Sequence, residues 1–260
     1  MSDAPVLLEI KDRIAQITLN RPANRNSMDN EVMPAFVETI GRVREDPDLR
    51  CLIVTGSGQS FCTGADFRSS SARNEHEMPH ERSMRVYEPF LKIQEIRIPT
   101  IAAMNGHAIG GGFGLALICD IRVANRASKY GANFARLGLH TGMSVSYMLP
   151  RIVGLPLANE LLFTGRLIDG DNAAAIGLVN YVLEREAVLT KAWELAREIA
   201  SCAPIAVRMI KRSIHKGLEW DPRDAAELEA HCQSRTSETE DAREGIAALL
   251  EKREPVFIGK

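Results

Sequence analysis

What the chain lacks narrows its reading first. None of the five cysteines, Cys51, Cys62, Cys119, Cys202 and Cys232, stands in a C-x-x-C pair, and no H-E-x-x-H or Cys–His spacing brings the six histidines together, so no metal site is expected. The odd number of cysteines, mostly in apolar runs, suits a reducing cytoplasm. The opening residues MSDAPVLLEI lack the basic-then-apolar order of a secretory signal, and a cytoplasmic location is expected. There is no surplus of either charge: 32 basic side chains against 34 acidic ones give a net charge of −2, which offers nucleic acid no attractive field. From Ile98 to Cys119 no residue is charged, yet Pro99, Asn105, His107 and the triplet Gly110-Gly111-Gly112 would break a single spanning helix. That stretch reads as a buried strand, a loop and a buried helix, with no membrane partner.

What is present is enough to fold. With 45% hydrophobic and 25% charged residues over 260 positions, the chain can bury one core of about 200 residues plus an appendage. Residues 1–200 are expected to form the core and 201–260 a helical C-terminal region. Val6, Leu8 and Ile10 alternate before the charged turn Lys11-Asp12-Arg13, and apolar alternation resumes from Ile14 to Leu19, which predicts a hairpin. Ser27 or Asp29 is placed to cap a helix carrying Val32, Phe36, Val37, Ile40 and Val43 on one face. Cys51 to Thr55 and Thr100 to Met104 read as buried strands, each followed by a helical stretch, and repeated strand–helix order with apolar strands predicts an α/β fold. Beyond residue 155 the pattern is helical at Leu157–Phe163, Glu186–Ala200, Pro204–Lys216 and Arg223–Arg253, interrupted by a short strand at Leu178–Leu183. Residues 68–89 are polar and charged, and suggest a mobile segment or a lid.

Two glycine-bearing loops follow the buried strands: Ser60–Asp66 and Asn105–Gly114. Glycine lets backbone approach a ligand, and the second loop enters a helix whose first N–H groups lack intrahelical partners, which makes it a potential anion site. Dinucleotide binding is disfavoured, because the position three after Gly112 is Leu115, breaking G-x-G-x-x-G, and no G-K-[ST] occurs.

Six strings, ITLNRPANRNSM, IVTGSGQSFCTGADF, PTIAAMNGHAIGGGFGLALICDIRVA, LGLHTGMSVSYMLPRIVG, ELLFTGRLIDGDNAAAIGLVN and EGIAALLEKREPVFIGK, resemble in order and spacing the crotonase superfamily, the enoyl-CoA hydratase/isomerase family. The resemblance implies a spiral of β-β-α units over residues 1–200 and a C-terminal helical region over 201–260 that makes trimers, often paired into hexamers. It also implies an acyl-coenzyme A thioester as substrate, with coenzyme A as part of that substrate and no separate cofactor. The oxyanion hole carries over to the backbone N–H groups of Ala65 and Gly111. Thr63, Ala65, Asp66 and Phe67 would run along the pantetheine side with Gly111, and Arg25 near the nucleotide, with Arg68 where many relatives have lysine. Asp66 reads more readily as an anchor of its loop than as an acid or base, and Arg25 and Arg68 also fit solvated surface charges.

One departure bears on the reaction. Family hydratases use two glutamates, one just after the glycine triplet and one in a P-E dipeptide on the next turn; here the positions read Gly114 and Phe134. Neither residue can exchange a proton, so ordinary hydration of crotonyl-type substrates is expected to be weak or absent. His140 in LGLHTGM is a candidate acid/base by its reference pKa, though a turn histidine also fits a surface role. His107 reads as a packed histidine; His80, Glu81, Tyr87 and Glu88 on the expected lid read as an exposed face or as proton donors on closure; and Ser144, Ser146 and Tyr147 define no triad. Relatives with altered proton-handling positions include isomerases, decarboxylases and dehalogenases, and the last would need a carboxylate near Gly142 that is missing. An acyl-CoA lyase or isomerase is the leading expectation, and a non-catalytic acyl-CoA-binding scaffold the alternative.

Overall fold

The computed structural model describes residues 3–65 and 78–260. A hairpin of β1 (Val6–Lys11) and β2 (Ile14–Leu19) opens the chain, paired antiparallel across the expected charged turn, where Asp12 and Arg13 take positive φ. The remaining strands of the large sheet run parallel: β2 pairs with β3 (Cys51–Gly56), then come β5 (Thr100–Met104), β7 (Ile121–Asn125) and β9 (Tyr181–Leu183). A second, three-stranded parallel sheet holds β4 (Ser60–Cys62), β6 (His107–Ile109) and β8 (Tyr130–Gly131) in that order.

Three successive circuits therefore place one strand in each sheet before a helix follows. β3 and β4 lead to α2 (Pro79–Leu91), β5 and β6 to α3 (Gly111–Ile118), and β7 and β8 to a 310 turn at Phe134–Leu137, α4 (Val145–Val153), α5 (Leu155–Thr164) and α6 (Gly170–Ala175). This is the expected α/β class built from β-β-α circuits. The two loops read from sequence as irregular thus contain β4 and β6. Three residues make too short a run for a period-2 signal, and they pair only with distant strands.

Both faces of the large sheet are covered, which is why all six residues of β3 are buried. Leu52, Val54, Ala102 and Met104 face α1 (Val32–Glu45), α2 and α3, while Cys51, Ile53, Ile101 and Ala103 face Val188, Ala192 and Ala196 of α7 (Arg185–Ala200). On α1 the buried positions include Val32, Phe36, Ile40 and Val43, but Val37 is 38% exposed. At 100° per residue it has turned away from the stripe that Phe36 and Ile40 share. Asp29 supplies the cap, its Oδ1 accepting from the N–H groups of Glu31 (2.9 Å) and Val32 (2.8 Å), whereas Ser27 is buried beneath the loop. Phe36 meets Phe90 of α2 edge to face at 4.7 Å. Of the stretch expected to be mobile or a lid, residues 68–77 lie outside the described residues, and from Pro79 onward it is a helix anchored by Phe90.

The C-terminal helices are α8 (Pro204–Gly217), α9 (Pro222–Ser237) and α10 (Glu240–Glu251). The single helical stretch expected over 223–253 divides at Thr239, whose hydroxyl caps α10 by accepting from Ala242 N–H at 3.0 Å, and Asp221 caps α9. A half-buried polar knot ties α8 to the sheets. Asp120 accepts from Thr100 N–H (2.7 Å) and Oγ1 (2.9 Å), lies 2.8 Å from Lys211 Nζ and 2.9 Å from His215 Nε2, and Lys211 also donates to the Ile98 carbonyl (2.9 Å).

Burial opposes the Asp120 charge, but the hydrogen bond from His215, the Lys211 ammonium and the Thr100 amide outweigh it and hold the carboxyl at about 2. A carboxyl depressed on folding contributes its full stability above its unfolded pKa and loses it as pH falls toward the folded one. Asp120→Asn is therefore expected to destabilise the protein by about 2 kcal/mol at neutral pH. In urea titrations, the gap from the native protein should close between about pH 4 and about pH 2.

Candidate active site

The two glycine-bearing loops meet backbone to backbone. Gly64 has φ +80°, and a β-carbon placed on it would fall 2.9 Å from Gly111 N and 3.0 Å from the Ile109 carbonyl oxygen. Only glycine allows this approach, on grounds of both conformation and space. Gly110, with φ +58° and its N–H donated to the Gly131 carbonyl (2.9 Å), turns the chain into α3, of which Gly111 is the first residue. The N–H of Gly111 consequently has no partner inside the helix. Ala65, next to Gly64, pairs with Met28 in an isolated parallel bridge through the bond from Met28 N–H to the Gly64 carbonyl (2.8 Å). Neither Ala65 N–H nor Gly111 N–H donates to another described residue.

Asn26, which sequence reasoning missed, holds the neighbouring loop. Fully buried with φ +54°, it donates to the carbonyls of Ser57 (2.9 Å) and Ser60 (2.7 Å) and accepts from Arg21 N–H (2.9 Å). An asparagine within a polar loop, a residue type that tolerates left-handed backbone and bonds nearby main chain, was the available signal. The clamp brings Arg25 to Thr63, whose hydroxyl donates to the Arg25 carbonyl at 3.4 Å; the Arg25 side chain is exposed. Asp66, Phe67 and Arg68 lie outside the described residues.

The two positions without carboxylates are closed by apolar side chains. A β-carbon on Gly114 would fall 2.5 Å from Met143 Cβ and 2.9 Å from the Met143 carbonyl oxygen, while Met143 Cγ would lie 3.4 Å from one on Gly111. Met143, buried at 1% exposure and itself at φ +58°, thus fills the space beside the first position. At the second, the Phe134 ring comes within 3.7 Å of the β-carbon position of Gly110. Met143 was also missed, because its role follows from contact with residues about thirty positions earlier.

The remaining candidates scatter. His140 is exposed, its Nδ1 2.6 Å from the Thr141 carbonyl, and no hydrogen bond joins it to either glycine loop among the described residues. His107 is half-buried and accepts from Lys129 N–H at 2.9 Å, a structural role in keeping with the packed reading. Glu81 caps α2 by accepting from Met78 N–H (3.0 Å), and His80 and Glu88 are exposed. Tyr87, in contrast, reaches the neighbourhood of Met143: a β-carbon on Gly142 would fall 2.4 Å from its hydroxyl. Ser144 precedes α4, Ser146 is exposed, and Tyr147 donates to Glu219 (3.0 Å), so no triad forms. All five cysteines are unpaired, and burial pushes the thiols of Cys51, Cys62 and Cys119 up to about 12, which makes them poor nucleophiles. Among the described residues no group of three His, Cys, Asp or Glu side chains is placed to hold a metal ion.

The contact at Gly64 can be probed directly. Gly64→Ala should force the loops apart and lower activity or thioester affinity about 100-fold, by analogy with misplacements of about 1 Å, with the far-ultraviolet circular dichroism spectrum retained. Gly114→Glu should not create hydratase activity: with Met143 in the way, overpacking is expected to cost about 1–3 kcal/mol in denaturant titrations while crotonyl-CoA hydration stays at its starting level.

Comparison with known proteins assigns this arrangement to a family. The family model described as enoyl-CoA hydratase/isomerase matches residues 9–260. The chain is 39% identical to human mitochondrial enoyl-CoA hydratase domain-containing protein 2 over 95% of this chain and 86% of that protein. It is 37% identical to (E)-benzylidenesuccinyl-CoA hydratase of Thauera aromatica, over 98% and 99% of the two chains. The crystal structure of enoyl-CoA hydratase from Bacillus anthracis superposes with a TM-score of 0.93 at 32% identity, covering 98% of this chain and all of that one. With a match running from β1 to the last residue and a shared fold at this level of identity, the chain belongs to the enoyl-CoA hydratase/isomerase family.

Proposed function

We propose that this protein is an acyl-coenzyme A lyase or isomerase that stabilises the enolate of its thioester with the N–H groups of Ala65 and Gly111. The observation that carries the reading is the backbone contact of Gly64 with the Gly111 turn, beside two amides that donate to no other described residue. When a thioester loses its α-proton, charge accumulates on the carbonyl oxygen, and fixed donors favour that charge without reorganising. Loss of one such donor elsewhere costs about 2.7–4 kcal/mol, so a pair can lower the barrier by several kcal/mol. Gly111 gains further from the dipole of α3 behind it. Thr63 and Arg25, joined by a hydrogen bond, are proposed to flank the pantetheine and nucleotide, and the resemblance continues that path through Asp66 and Phe67.

Hydration of the ordinary kind is proposed to be weak, since Gly114 and Phe134 offer no proton carrier and Met143 and the Phe134 ring are apolar. The same apolar closure favours the second reading, an acyl-CoA-binding scaffold without turnover. No separate cofactor is required in either. Exposed Ile210, Ile214 and Leu218 about α8, with Ile246, Leu249 and Leu250 on α10, support self-association of region 201–260 into a trimer or hexamer. Buried free thiols support a reducing compartment, proposed as the cytoplasm, and no described helix is long and apolar enough to cross a membrane.

Incubation of the protein with a panel of acyl-CoA thioesters in deuterated water, followed by mass spectrometry, tests the proposal. Steady deuterium uptake at the α-carbon, or conversion to product, is the expected result. Tight binding without exchange would establish the scaffold, and absence of binding across the panel would remove the thioester reading.

A further inference from the structure

At the end of the large sheet opposite the glycine loops, a cleft of about 530 Å³ opens between the C-terminus of α1, the turn that leads into β5, and α8. That volume lies within the roughly 300–1,000 Å³ range of small-molecule sites. The lining is apolar at Val43, Ile96 and Ile98, each at most 6% exposed, and charged elsewhere. One ion pair is closed within it, because Arg44 binds Glu95, which also accepts from Lys92 at 2.7 Å. Two cations and two anions of the lining are left over. Arg97 makes no hydrogen bond or ion pair with a described residue. Arg208 donates through Nη2 to the carbonyls of Pro47 (2.6 Å) and Leu49 (3.1 Å), while its Nε is buried without a partner and its Nη1 donates to no described residue. Glu45 lies 4.0 Å from Arg44 and is 78% exposed, and Asp46 accepts from the Asp48 N–H at 2.9 Å.

We infer that this cleft is a binding site for a small zwitterion with an apolar side chain, an α-amino acid or a dipeptide. Arg97 and the Nη1 of Arg208 supply donors for its carboxylate, Glu45 and Asp46 supply acceptors for its ammonium group, and Val43, Ile96 and Ile98 receive its side chain. The two acids stand at the C-terminal end of α1, where the helix dipole adds negative potential and so favours the ammonium group. A plain anion meets two carboxylates here and a plain cation meets two guanidinium groups, so neither complements the lining as a whole. The lining residues precede β3 and β5, whereas the glycine loops follow the far ends of those strands, so the cleft is separate from the site proposed for the thioester. It is separate from the exposed apolar face of α8 as well, since at 100° per residue Arg208 is turned about 200° from Ile210.

Isothermal titration calorimetry of the full chain with L-leucine, the dipeptide Leu-Leu, 4-methylpentanoate and 3-methylbutylamine tests the inference. The last two are leucine-like molecules that carry only the carboxylate or only the ammonium group. L-leucine or Leu-Leu should bind with a dissociation constant of about 1 mM or tighter, and the tighter of the two distinguishes a single residue from a dipeptide. Each singly charged analogue should bind at least about tenfold more weakly. Arg97→Gln and Glu45→Gln, both at exposed side chains, should each weaken binding of the preferred zwitterion about tenfold with the circular dichroism spectrum unchanged. Absence of binding by both zwitterions, equally tight binding of either singly charged analogue, or an affinity unchanged in both variants overturns the inference. None of these outcomes touches the thioester reading, which deuterium uptake tests separately.

Discussion

The site depends on a backbone contact that no side chain may enter: Gly64 lies against the amide of Gly111, with the Ile109 carbonyl on the other flank. Two circuits of the chain, one ending in β4 and the other in β6, are brought to this closeness by parallel pairing of those strands, Ser60 with His107 and Cys62 with Ala108. Without that pairing Ala65 and Gly111 would be unrelated turns. With it, the turns that carry Ala65 and Gly111 lie side by side. The Met28 bridge and the Asn26 clamp hold the third side, so the loop bearing Thr63 to Ala65 is fixed from both directions.

Around that contact the packing is apolar. The absence of a side chain at Gly114 goes together with the entry of Met143 into the space, and Phe134 covers the glycine turn from the next circuit. The apolar filling is thus a property of several packed residues rather than of Gly114 alone.

The C-terminal helices are joined to this framework by charge as well as by packing. Asp120, at the junction of α3 and β7, gathers Lys211 and His215 of α8, while Arg50 donates to the carbonyls of Ala200 and Phe257 and so ties the tail to the sheet. The buried carboxylate of Asp241 accepts from Ile258 N–H (2.7 Å) and Gly259 N–H (2.9 Å) and completes the anchorage of the tail. The exposed apolar residues of α8 and α10 are therefore presented on helices whose other contacts are settled.

Local patterns carried much of the fold. Alternation around Lys11-Asp12-Arg13 specified the hairpin, continuous apolar runs specified β3 and β5, proline and capping residues specified the starts of α8 and α9, and ordered family blocks pointed to Ala65, Gly111, Gly114 and Phe134. Each of these signals resides in consecutive residues, so neighbouring side chains suffice to express it. The three-residue strands, the turning away of Val37, the clamp at Asn26, the filling of the Gly114 space by Met143 and the arrival of Tyr87 at Gly142 were decided only by tertiary structure. They join residues tens of positions apart through van der Waals fit and buried hydrogen bonds, and such complementarity exists only once the sheets have stacked and the circuits have closed.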